Sequence, residues 1–171
     1  MSNRPQQHGF ERTVCGCEFC RAPCRHIPGS LDVSDLERLC PPGRDIFAWA
    51  EEHLVALVDK SCPTLVPARG VNGHCHWLFQ DLCVVHENAP FGCSFFDSHM
   101  SDEEAKIRAD ATMQARRDDA QANGLYYRVW MHLQARGRVG RSGDRDGLAD
   151  DVRKLQRTIN KNMRRSGDQS E

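Results

Sequence analysis

Apolar positions along the chain are sparse and unevenly spaced. From Arg44 to Lys60 they recur at helical intervals, with Phe47, Ala50, Leu54, Leu57 and Val58 sharing a side, and predict a helix there. Ahead of it, Leu36 and Leu39 mark a short helix that Ser34 can N-cap, with Glu37 completing a capping box and Pro41-Pro42 ending it. Short apolar runs follow within 62–67 and 75–86: Thr64-Leu65-Val66, Trp77-Leu78-Phe79 and Cys83-Val84-Val85. Periodicity leaves strand and packed loop equally open for these. Ser101-Asp102-Glu103-Glu104 is a capping box that opens a long polar helix, with Gly124 as a point of interruption. Beyond it, residues 125–135 offer Tyr126, Val129, Trp130 and Leu133 to a core. Finally, Leu148, Val152, Leu155, Ile159 and Met163 place a narrow stripe on a helix that is otherwise basic and polar.

The stretches without a periodic pattern complete the organisation. Residues 1–14 are expected to be disordered, and 15–30 form a Cys-rich loop too punctuated for regular structure. Residues 15–100 then read as one cysteine-cluster metal-binding domain and 101–135 as its helical extension. The Arg/Gly-rich 136–147 reads as a flexible linker, and 148–171 as an amphipathic helix and tail. The fold class expected is mainly α: a small, loop-rich Cys-cluster metal domain packed with C-terminal helices.

Composition sharpens this picture. Of 171 residues, 39% are apolar, below the usual globular share of roughly 45–50%. The net charge of −1 argues against a globally basic nucleic-acid binder, but the charge is split. Residues 31–100 hold ten acidic and four basic side chains, whereas 136–171 hold ten basic and six acidic. The basic tail lacks interleaved aromatics, so an amphipathic helix docking on a protein partner fits it better than a nucleic-acid surface. No apolar run reaches the roughly 18–20 residues needed to cross a bilayer, and no secretory signal opens the chain. A cytoplasmic, membrane-free protein is the expectation.

The chemistry lies in nine cysteines, with eight histidines beside them. In a reducing compartment this density signals metal or redox chemistry more than a disulfide framework, and an odd number cannot all pair within the chain. A first cluster reads Cys15-x-Cys17-x2-Cys20-x3-Cys24, and a second reads Cys75-x7-Cys83-x9-Cys93. Short loops of this kind present thiolates to one ion without straining the backbone. Zinc would take four thiolate or imidazole ligands in a closed tetrahedron, and a [4Fe–4S] cluster would take four thiolates. Spacing alone leaves both open. Six or seven thiolates exceed the need of one closed zinc site, which favours iron–sulfur, with Cys17, Cys20 and Cys24 meeting Cys75, Cys83 and Cys93 across the fold. Cys15 is the seventh candidate ligand.

These residues also carry a family resemblance. The stretch from Cys17 to Arg25 resembles the Cys-x-x-Cys-Gly-x-Cys-Cys-Arg signature of the YkgJ-like cysteine-cluster proteins. Pro28-Gly29-Ser30-Leu31 and residues 34–39 are similar to that family's lead into its first helix. Cys75, Leu78, Cys83-Val84-Val85-His86-Glu87, Pro90 and Cys93 resemble its C-terminal signature. The resemblance covers roughly residues 15–100. It implies zinc or iron chelation, and some relatives are linked to lysine N-methylation of flagellin, which would imply an iron–sulfur enzyme with a redox or group-transfer role. The chain departs from the pattern at Arg21, Pro23 and Ala89, and Cys15 is an extra thiol that can replace the one missing at Pro23.

The remaining candidates have plainer readings. Cys40 and Cys62 suit core positions, since free cysteine is among the most buried residue types. His86 fits a ligand, a donor behind a ligand, or a packed histidine equally. His74 and His76 read as solvated loop residues, and His26, His53, His99 and His132 carry no signal. No P-loop, Gly-rich dinucleotide fingerprint or Ser-His-Asp order is present. The alternative to an iron–sulfur protein is a zinc-stabilised interaction module without catalysis.

Overall fold

The computed structural model describes residues 6–13, 15–26 and 28–141. It is α-rich with a small sheet. Helices α1 (Glu18–His26), α2 (Asp35–Leu39) and α3 (Ile46–His53) come first, then strands β1 (Leu54–Leu57) and β2 (Thr64–Pro67). A two-stranded hairpin of β3 (Leu78–Phe79) and β4 (Leu82–Cys83) is followed by a single 3-10 turn (His86–Asn88) and α4 (Phe91–Ser94). Helices α5 (Asp102–Gln121) and α6 (Leu125–Ala135) lead to a last strand, β5 (Val139–Gly140). The larger sheet has the order β2-β1-β5, with β1 antiparallel to β2 and parallel to β5.

Helix α3 is shorter than its apolar pattern suggests. Asp45 caps it by accepting from Ala48 N at 2.8 Å, and it ends at His53. Leu54 and Leu57, read as a continuing helical stripe, instead face the core from β1 together with Ala56, beside the buried β2. Leu-Val-Ala-Leu has no helix breaker, so tertiary pairing with Thr64–Pro67 overrides a local preference. The short helix at Ser34 is present, but the Ser34 side chain does not cap it. Asp35 closes that turn from inside the helix, its carboxylate accepting from Asp32 N at 2.7 Å. The Ser101 capping box forms as expected, with Ser101 Oγ accepting from Glu104 N at 3.1 Å. Gly124 separates α5 from α6.

The core gathers Leu31, Leu36, Trp49, Ala50, Leu54, Ala56, Leu65, Trp77, Tyr126, Val129 and Leu133. Residues of the region read as a helical extension therefore share one core with the cysteine-bearing half. Tyr126 is the polar pin at its centre, its hydroxyl donating to Leu31 O at 3.0 Å and accepting from Leu65 N at 2.8 Å. Cys62 is buried and Cys40 packs against this core, as their composition suggests.

The first and last described residues are drawn in further than the sequence suggests. His8 Nε2 lies 2.8 Å from the Asp32 carboxylate, and Thr13 N donates to Ser94 O at 2.8 Å, so residues 6–13 are part of the fold. Arg138 and Gly140, at the start of the supposed linker, receive the β1-side N–H groups of Ala56 and Val58. The remainder of the linker and the amphipathic helix expected over 148–171 lie outside the described residues. Among the described residues, no helix is long and apolar enough to cross a membrane.

Candidate metal centre

The stretch from Glu18 to His26, read from sequence as irregular, is helix α1. Its first turn begins at Cys17, whose carbonyl accepts from Arg21 N at 3.1 Å, and Glu18 is well placed there for the helix dipole. At about 1.5 Å of rise per residue, Cys17 and Cys20 lie at one end, and Cys24 sits roughly 6 Å farther along the axis than Cys20. The spacing 17, 20, 24 keeps all three near one face, as i, i+3 and i+7 positions do. The helix thus separates along its length what the linear motif presents as a single cluster.

The N-terminal end of α1 meets the connection between α4 and α5. Arg108, buried on α5, clamps both strands of chain that build this meeting point. Its Nη1 donates to Glu11 O at 3.0 Å and to Phe95 O at 2.9 Å. Asp97 then shapes the turn by accepting from His99 N at 2.8 Å. The result places Cys15, Cys17, Cys20 and His99 together, with their ligand atoms all within 4.8 Å of one another. His99 Nε2 is 3.5 Å from Cys17 Sγ, and Ser98 lies beside Cys20, Oγ to Sγ 3.1 Å. Cys15 and His99 are exposed, whereas Cys17 and Cys20 are half-buried.

Electrostatics prepares this end of the helix for a cation. The Cys17 thiol is lowered to about 6, first by the backbone N–H of Cys20 and then by His99. A thiolate at a helix N-terminus is the expected product of N–H groups aimed at it. Cys15 also receives a favourable backbone hydrogen bond from Cys17, but the neighbouring Cys17 and Cys20 thiols outweigh it and leave Cys15 raised. Several thiols crowded together cannot all ionise cheaply unless a cation joins them.

Cys24 stands apart from this group. Its carbonyl accepts from Cys75 N at 3.0 Å, which ties α1 to the second cysteine cluster. The β3–β4 hairpin, turned by Gln80 and Asp81 at positive φ, pairs Leu78 with Cys83. Cys93 follows Pro90 in α4 and receives the N–H of Gly29 on its sulfur at 3.2 Å. That approach requires glycine on both sides. A Cβ on Gly29 would overlap Gly92 and Cys93 backbone atoms, and one on Gly92 would overlap Ser30 N. Burial raises the Cys24 and Cys83 thiols and raises Cys75 to about 11, and it raises Cys93 further.

The six cysteines expected to meet are therefore divided. Cys17 and Cys20 join Cys15, and Cys24 lies with Cys75, Cys83 and Cys93. His99, which carried no signal in the sequence, supplies the fourth donor of the compact group. Its only hint was position, six residues after Cys93 in a polar stretch that had no other evident task. His76, expected to be solvated, is half-buried with its Nε2 3.2 Å from His53 Nδ1 and its ring beside Trp77. His86 is exposed, and its backbone carbonyl accepts from the Arg12 guanidinium.

A Cys15/Cys17/Cys20/His99 group of this size is compatible with holding a metal ion. Comparison with known proteins adds no identity: no family model, no curated protein and no solved structure matches this chain.

Proposed function

We propose that this is a metal-binding protein in which Cys15, Cys17, Cys20 and His99 hold one zinc ion. The observation that carries the reading is the convergence of four donors from chain segments about 80 residues apart to within 4.8 Å. A tetrahedral zinc with Zn–S of about 2.3 Å sets its thiolates about 3.8 Å apart, so small side-chain adjustments complete the shell. Three sulfurs and one nitrogen fill that shell and leave no open position, the pattern of a structural site. The ion would fasten the start of α1 to the turn ahead of α5 and supply folding energy where apolar burial is thin. The resemblance of residues 15–100 to the YkgJ-like proteins, with the zinc or iron chelation it implies, supports metal binding in this part of the chain.

The test is the zinc content of the purified full chain beside its Cys17→Ser and His99→Ala variants. The wild type is expected to retain zinc through dialysis, and each variant to lose that bound ion. Unchanged zinc in both variants would overturn the assignment.

A further inference from the structure

Three of the four ligand atoms gathered within 4.8 Å at the start of α1 are sulfurs. Sulfurs this close have two ways to be stable together. A cation can join them as thiolates, or two of them can give up an electron each and bond. We infer that Cys17 and Cys20 are also a modification site, at which a hydroperoxide closes a disulfide across the first turn of α1 and expels the zinc ion. The disulfide needs no metal, whereas the expulsion rests on the zinc reading.

Position selects this pair. Cys17 stands immediately before α1, its carbonyl accepting from Arg21 N at 3.1 Å, and Cys20 follows within the first turn. Residues three apart along a helical turn are separated by about 4.5 Å of rise and about 2 Å sideways, which sets their Cα atoms about 5 Å apart. A disulfide spans about 4.4–6.8 Å between Cα atoms, so the turn of backbone already has the right reach. The turn ahead of α5 then holds both sulfurs with consecutive residues. Ser98 N donates to Cys20 Sγ at 3.4 Å and Ser98 Oγ lies 3.1 Å from it, while His99 Nε2 lies 3.5 Å from Cys17 Sγ. Cys15, by contrast, is exposed on irregular chain ahead of the helix. Cys62 and Cys75 are buried and are shielded from the same reagent.

The chemistry balances with a hydroperoxide as the only oxidant. The Cys17 sulfur attacks one peroxide oxygen, the O–O bond breaks, and the other oxygen leaves as an alcohol, or as water from hydrogen peroxide. Cys17 is left as a sulfenic acid. The Cys20 sulfur then attacks the Cys17 sulfur, the S–O bond breaks, and that oxygen leaves as water. Two electrons pass from the sulfurs to the O–O bond. The two protons come from the thiols, or from solvent where zinc holds them as thiolates. Closure removes two of the four zinc donors and leaves Cys15 and His99, short of the four that a structural site requires. The tie between α1 and the turn ahead of α5 opens with the loss of the ion, and reduction by an external thiol restores it.

The experiment exposes the full chain, zinc-loaded and zinc-free, to a small excess of hydrogen peroxide. Mass spectrometry reads the tryptic peptide 13–21, which carries all three thiols, and a chromogenic chelator reads released zinc. The variants are Cys15→Ser and Cys20→Ser. Among the described residues, α1 contributes no side chain to the main core, so both variants report on sulfur chemistry with little risk to folding. The wild-type peptide is expected to lose the mass of two hydrogens with Cys15 still alkylatable, to release one zinc per disulfide, and to recover thiols and zinc after dithiothreitol. Cys15→Ser should still close the disulfide, and Cys20→Ser should stop at a Cys17 sulfenic acid that dimedone traps. A disulfide through Cys15, a Cys17 sulfinic acid with no disulfide, or thiols left unoxidised would overturn the inference. Zinc retained after closure would overturn the expulsion. A chain that holds no zinc yet closes Cys17 to Cys20 would overturn the zinc reading and support the disulfide.

Discussion

Around Tyr126 the chain buries apolar side chains from α2, α3, β1, β2 and α6, whereas around Cys17 it presents thiols and an imidazole close to the surface. The first region is assembled by burial, with the polar groups at its centre paired: Tyr126 bridges Leu31 and Leu65, and Arg116 Nε donates to Leu31 O at 3.0 Å. The second gathers three thiols and an imidazole, which cannot all ionise cheaply unless a cation joins them. Two kinds of cohesion therefore coexist in a small chain. The core folds through the hydrophobic effect and fixed hydrogen bonds, and the cysteine-bearing edge depends on its ligand.

The strongest way to break the core without touching the edge is Asp35→Ala. The buried Asp35 carboxylate accepts from Asp32 N and Phe91 N, each at 2.7 Å, and pairs with Arg38. Removing it strands a charge and two backbone donors, and a loss of about 3–5 kcal/mol is expected in denaturant unfolding. Stripping zinc with a chelator should act in the opposite place. At about hundredfold excess of zinc over its dissociation constant, the ion contributes about 3 kcal/mol. Its removal should raise hydrogen exchange over 15–26 and 97–101 while the Tyr126 core stays protected.

Smaller changes sharpen the contrast. Tyr126→Phe leaves Leu65 N without its side-chain acceptor, at a cost of about 1–2 kcal/mol measurable by thermal unfolding. Asp32→Asn tests a titration within the core. Burial pushes the Asp32 carboxyl up, but His8 and Thr112 outweigh it and hold the group below the usual carboxylate range. The stabilisation is therefore present above about pH 4, the ordinary Asp value, and is lost as pH falls through the lowered value. The variant should be less stable than wild type at neutral pH by about 1 kcal/mol, and the gap should close in acid. At the edge, the metal-free protein should alkylate first at Cys17, with a midpoint near pH 6, and zinc should protect it.

Much of the helical framework was legible from local signals. Ser101 caps α5 as its sequence predicts, and Tyr126, Val129 and Leu133 face the core from α6 at the expected spacing. Leu54–Leu57 misled because an apolar run of four suits a helix or a strand equally, and only the pairing with Thr64–Pro67 decides. The cysteines were visible as chemistry but not as geometry. Reading 15–30 as loop hid the rise of α1, which carries Cys24 away from Cys17 and Cys20. His99 was invisible for a related reason: its role depends on Arg108 drawing Glu11 and Phe95 together, a contact that no local motif announces.

The most direct test of the metal reading is zinc-edge X-ray absorption on the full chain loaded with one equivalent of zinc. Three sulfurs at about 2.3 Å and one nitrogen at about 2.0 Å are predicted, with the nitrogen lost in His99→Ala. A shell of four sulfurs, a shell dominated by oxygen, or a spectrum unchanged by His99→Ala would contradict it.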